Sequence, residues 1–97
     1  MKNAMRPIHP GEILREELAE LSVSANALAG ALGVPANRIT GIIKEQRAVT
    51  VDTALRLGRY FSTTPEFWMN LQIAYKIRKA EAETGEQIER TVRPRAA

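Results

Sequence analysis

Asn37 and Arg38 are adjacent, and Thr40, Gly41, Lys44, Gln46 and Arg47 follow closely. An amide and a guanidinium each offer a planar pair of hydrogen bonds, the pattern that matches adenine and guanine edges in the major groove of duplex DNA. Thr40 suits a thymine methyl or a phosphate. Gly41 has no side chain to hold a helix away from base edges. Lys44, Gln46 and Arg47, with Ser24 upstream, suit phosphate oxygens, contacts that set register rather than sequence. No acidic residue stands between Pro35 and Lys44. Glu45 is unfavourable beside phosphate and is expected to point away.

Other chemistries find little support. The chain has one histidine and no cysteine, so no transition-metal site is expected and disulfides are excluded. His9 precedes the first predicted helix, where packing or a hydrogen bond is its expected role. No serine or threonine has a plausible base, so nucleophilic catalysis is not expected. The chain reads as a protein that is not an enzyme and uses no cofactor. Glu16, Glu17 and Glu20 fit a solvated helix face better than paired catalytic carboxylates. Trp68 and Tyr75 could stack on unpaired bases, but their helical spacing fits core or dimer contact better.

Ninety-seven residues suffice for one domain. The net charge is +3, an ordinary value, but its distribution is uneven. Residues 24–63 carry five positive and two negative side chains, against three and four in 1–23 and six and five in 64–97. The basic excess is central, and a basic face gains affinity for DNA by releasing condensed counterions. No apolar run reaches the ~20 residues of a membrane span. The N-terminus lacks the apolar stretch of a secretory signal. A soluble, cytoplasmic protein with no membrane partner is expected, reaching the nucleoid through any DNA it binds.

The elements that must position these residues are helices. Pro10 to Leu21 reads as the first, with an apolar stripe of Ile13, Leu14, Leu18 and Leu21. Ser24 caps a second over Ala25–Leu32, which Gly33 ends. The third runs from Pro35 to about Glu45, with Ile39 and Ile42 inward. Thr50 caps a fourth, with Val51, Ala54, Leu55, Gly58 and Phe61 at helical spacing. Thr64-Pro65-Glu66 opens a fifth, expected to fade near Thr84-Gly85. The reading is all-α with five helices: a domain over residues 1–84 and a flexible tail over 85–97.

Helices two and three form the informative unit. Ala29 is small enough for a close crossing, Gly33 turns the chain, and Val34 plugs the angle. Leu28 and Leu32 then meet Ile39 and Ile42. These positions fit a helix-turn-helix, and the free face of its second helix carries the base-reading residue types above. A generic helical hairpin explains the apolar positions but not that face.

Ile8-His9-Pro10-Gly11-Glu12-Ile13-Leu14, the helix-turn-helix, Ala54-Leu55-Arg56-Leu57 and Phe67-Trp68-Met69-Asn70-Leu71-Gln72 occur in that order. Together they resemble the HigA-type antitoxins of bacterial toxin–antitoxin modules, within the lambda-repressor-like helix-turn-helix class. The resemblance spans about residues 6 to 80. It implies a homodimer that binds an operator palindrome, represses its own operon and neutralises a HigB-type mRNA-cleaving toxin. A stand-alone transcription regulator without a toxin is the alternative. Phe67, Trp68, Leu71 and Tyr75 are expected to contribute to the dimer. Ser22, Glu45 and Ser62 stand where the family pattern usually has glycine, each at a helix end where a left-handed backbone costs about 1 kcal/mol.

Overall fold

The structure, a computed structural model, describes residues 6–96. Five α-helices follow in order: α1 (Pro10–Leu21), α2 (Ala25–Leu32), α3 (Ala36–Ile43), α4 (Val51–Phe61) and α5 (Pro65–Thr91). There is no strand among the described residues.

Side chains open four of these helices by accepting orphan backbone N–H groups. His9 Nδ1 accepts from Gly11 at 2.9 Å, Ser24 Oγ from Ala27 at 3.0 Å and Thr64 Oγ1 from Phe67 at 3.1 Å. Thr50 Oγ1 accepts more loosely from Thr53 at 3.4 Å. Pro35, expected as the first helical residue, instead sits extended just before α3 and makes no side-chain cap.

Four helices close with one device. An N–H just past the end reaches back five residues to a carbonyl: Val23 to Leu18, Val34 to Ala29, Gln46 to Gly41 and Thr63 to Gly58, at 2.8–3.0 Å. The residue before each donor must then turn left-handed. These are Ser22 at φ 55°, Gly33 at 72°, Glu45 at 61° and Ser62 at 57°. The three departures from glycine therefore keep the glycine backbone, and each carries its strain. This device also ends α3 at Ile43 rather than at Glu45.

The core comprises Leu14, Leu18, Leu28, Ala29, Leu32, Ile39, Ile42, Val49, Ala54, Leu57 and Trp68. Two expected stripes are corrected. In α4 the buried face is Thr53, Ala54, Leu57 and Gly58, while Val51 and Leu55 are exposed. Gly58 sets this rotation: a Cβ there would lie 3.0–3.1 Å from the backbone of the turn at Thr63, Thr64 and Pro65. In α1, Leu21 is exposed, because the chain turns away from the core at Ser22.

α5 does not fade at Thr84-Gly85 but continues to Thr91, so the expected boundary at residue 84 falls inside it. An interior glycine costs about 1 kcal/mol relative to alanine, and the good helix formers Glu81, Ala82, Glu86 and Gln87 around it offset that cost. Thr84 and Thr91 also fold their hydroxyls back onto the Ala80 and Gln87 carbonyls. Only Val92 onward leaves the helix.

Candidate nucleic-acid interface

α2 and α3 cross where the sequence places the small residue. Ala29 is buried, Gly33 makes the turn, and half-buried Val34 packs against the core beside Leu28, Leu32, Ile39 and Ile42. α3 is fixed from behind by α1. Gly11 presses its bare α-carbon against the Ile42 carbonyl, where a Cβ would collide with the oxygen. Arg15 Nη1 donates to the Ile43 carbonyl at 2.6 Å. This satisfies one of the orphan acceptors at the end of α3.

On the outer side Asn37, Lys44, Gln46 and Arg47 are exposed, while Thr40 is half-buried. Ser24 spends its oxygen on the α2 cap and keeps its hydroxyl proton to donate. Gly41 is half-buried. Its bare face is covered by the Arg47 stem, with that Cβ only 3.2 Å from where a Gly41 Cβ would stand. The missing side chain makes room for the Arg47 stem.

Arg38 is half-buried and engaged within the protein. Its Nη1 donates to Asp52 Oδ2 at 2.6 Å, and the same oxygen accepts from Arg56 Nε at 3.0 Å. Arg56 Nη1 in turn donates to the Leu32 carbonyl at 2.7 Å. The two arginines, Arg56 foremost, hold the Asp52 carboxyl below its usual range. Asp52 is not among the site residues read from the sequence. The usable signal was its spacing of four from Arg56 on one helix face. Glu45 lies 3.6 Å from Arg15 Nη2, so it faces a cation of α1.

The proposed dimer residues separate. Trp68 is only 1 % exposed, and its Nε1 donates to Thr63 Oγ1 at 3.1 Å. It belongs to the protomer core, which removes it from any contact surface. Tyr75 and Leu71 are half-buried and share a groove with Ile8, Ile13 and Ala74. Tyr75 meets the His9 ring edge-on at 4.8 Å. Phe67 is the exposed member of the set. Sequence reading also missed buried Gln72, whose Oε1 accepts the Val49 N–H at 2.7 Å and so pins the segment between α3 and α4 to α5.

His9 is buried, and its desolvation pushes the imidazole pKa below the ordinary value. A neutral ring is what the Gly11 cap requires, because Nδ1 must accept. Among the described residues no group of three His, Cys, Asp or Glu is placed to hold a metal, and no helix is long and apolar enough to cross a membrane.

Five helices around one core, with α2 and α3 crossing at Ala29 and an acid-free outer face on α3, define a lambda-repressor-like helix-turn-helix protein. No family model matches the chain. Solved structures do. An addiction module antidote protein of a HigA family from Coxiella burnetii is 56% identical with a TM-score of 0.93, over 94% of this chain and 100% of that one. The Pseudomonas aeruginosa antitoxin HigA, solved with the higBA promoter, is 52% identical with a TM-score of 0.92, over the same shares. Antitoxin HigA-1 of Vibrio cholerae is 36% identical over 75% of this chain and 70% of its own length. The chain belongs to the HigA family of antitoxins.

Proposed function

We infer that this protein is a sequence-specific DNA-binding antitoxin. It occupies an operator in its own promoter, represses its operon as a dimer, and neutralises a HigB-type mRNA-cleaving toxin. The observation that carries this reading is α3 held against the core by Ile39 and Ile42, with Asn37, Lys44, Gln46 and Arg47 left open to solvent. Support comes from the likeness to an antitoxin solved with its promoter. In this reading Asn37 and Arg38 address bases, with Thr40 beside them. Lys44, Gln46, Arg47 and the Ser24 hydroxyl address phosphates.

A dimer is favoured on two grounds. One recognition helix reads few base pairs, whereas two on a twofold axis address half-sites about 34 Å apart. α5 has 27 residues, yet only Trp68 and Gln72 are buried. Beyond Gln72 it exposes Ile73, Ile77 and Ile88, an apolar face that a second copy would cover. Long helices draw most of their stability from packing rather than propensity. We therefore place the dimer contact on Phe67 and this face of α5, with Leu71 and Tyr75 at its margin.

The test is co-purification with the product of the neighbouring gene, followed by a band shift on the chain's own promoter. A tight complex that relieves ribonuclease toxicity, together with a specific shift, is expected. A specific shift without a toxin partner leaves the stand-alone regulator. No shift on the promoter overturns the reading.

A further inference from the structure

We propose that Asp52 is a positioning residue for base recognition, fixing the Arg38 guanidinium at the edge of α3 so that it reads one base pair rather than wandering between phosphates. This rests on the reading of Arg38 as a base-contacting residue. The contacts form a relay across three helices. The Leu32 carbonyl at the end of α2 accepts from Arg56 at 2.7 Å, Arg56 Nε donates to Asp52 Oδ2 at 3.0 Å, and that oxygen accepts Arg38 Nη1 at 2.6 Å. The carboxylate is thus held by one arginine before it holds the other.

The chemistry of the pair suits recognition. Among the described residues Arg38 engages Asp52 through Nη1, which leaves Nη2 and Nε for the paired acceptors that a guanine edge presents. A long side chain already confined to one geometry loses less freedom on binding, so more of each contact survives as discrimination. A bare carboxylate near phosphates would be repelled, but two guanidinium groups flank this one and leave the cluster net positive. Without Asp52 the arginine keeps its charge and loses its aim. Affinity for any duplex is retained or gained, while preference for the correct base pair falls.

The experiment measures binding of wild type, Asp52→Asn, Arg38→Ala and the double variant. The probes are the chain's own promoter duplex and a panel in which each base pair is replaced in turn, at several salt concentrations. Asparagine is nearly isosteric, and the Asp52 side chain is more than half exposed, so the fold should survive; circular dichroism checks this. Arg56→Gln, which loosens Asp52 without altering it, is the second route.

Arg38→Ala should flatten discrimination at one base pair by about tenfold. Asp52→Asn should flatten the same pair to a similar extent while binding unrelated duplex at least as tightly. The double variant should lose no more discrimination than either single one. Arg56→Gln should weaken preference at that pair alone. If Arg38→Ala flattens a base pair but Asp52→Asn does not, the positioning role is overturned and the base contact stands. Uniform tightening on all sequences by Asp52→Asn, with discrimination intact, likewise overturns it and leaves Asp52 only a repelling charge. If Arg38→Ala leaves every preference intact, the base-contact reading itself fails, and the proposal with it.

Discussion

The carbonyl of Ile42, near the end of α3, lies against the α-carbon of Gly11 in the first turn of α1, with no space between them for a methyl group. One α1 residue without a side chain therefore sets how deeply the recognition helix sits. Gly11→Ala must push α3 outward or shift α1, and overpacking of this kind costs about 1–3 kcal/mol. Gly30, in α2, meets nothing within 4 Å of an added Cβ. Gly30→Ala should instead stabilise by up to about 1 kcal/mol through helix propensity. Urea denaturation of the two variants checks the contrast. Equal effects would mean that the α1–α3 approach is not close.

The His9 cap gives stability a pH dependence. Burial lowers the folded imidazole pKa below the ordinary 6.5, so the folded state binds its proton less readily than the unfolded chain. The contribution is full above the unfolded value and is lost as pH falls through that value toward the folded one. Stability should decline between about pH 7 and pH 5, a window in which few other side chains titrate. Glu12, held low by Arg6, and Asp52, held low by Arg56, contribute above the ordinary carboxylate values; those terms are lost only at lower pH, as it falls through their depressed folded values. His9→Asn, which keeps a capping acceptor, should remove most of the slope between pH 7 and pH 5. Denaturant midpoints across that range measure it, and an unchanged slope would assign it elsewhere.

Most of the fold was legible because short-range signals coincide. Capping residues, N-terminal prolines and apolar periodicity agree at nearly every helix start, and Ala29, Gly33 and Val34 mark the crossing. What was not legible depends on relations across the chain. The rotation of α4 follows from Gly58 meeting the turn before α5, so Val51 and Leu55, apolar and well spaced, still face solvent. Gln72 reads as an ordinary polar helix residue until its partner, the Val49 N–H, is known. Arg38 looks like a free surface cation, and only tertiary structure brings Asp52, fourteen residues on, within 2.6 Å. In α5, weak local breaking at Gly85 lost to the strong helix formers around it.

The base and phosphate contacts proposed for the outer face of α3 differ in charge and in position along the helix. Asn37 is open at the start of the helix, and Lys44 and Arg47 are open past its end. Asn37→Ala should cost about 1–3 kcal/mol on the operator and relax preference at one base pair. Lys44→Ala should weaken operator and unrelated duplex alike and flatten the dependence on salt, because one fewer phosphate is neutralised. Arg47→Ala should do the same and also expose Gly41. Binding titrations on matched and mismatched duplexes at several salt concentrations distinguish the two. Identical effects from Asn37 and Lys44 would dissolve the distinction.

Glu45 combines backbone strain with misplaced charge. At φ 61° it occupies the left-handed position that closes α3, which costs a residue with a Cβ about 1–2 kcal/mol. Its compensation is Arg15 at 3.6 Å, an exposed pair of a type worth at most about 1 kcal/mol. Glycine would relieve the strain, less the extra freedom it gives the unfolded chain. Glu45→Gly should therefore stabilise by about 0.5 kcal/mol. Ser22→Gly and Ser62→Gly, left-handed without an ion pair to lose, should gain nearer 1 kcal/mol each. Only the Glu45 change should also affect DNA. It removes a negative charge beside Lys44 and Arg47, so operator and unrelated duplex should both bind more tightly, by a similar factor. Thermal melts of the three variants and duplex titrations of Glu45→Gly measure these effects. A loss of stability in Glu45→Gly would show that the Arg15 pair outweighs the backbone strain.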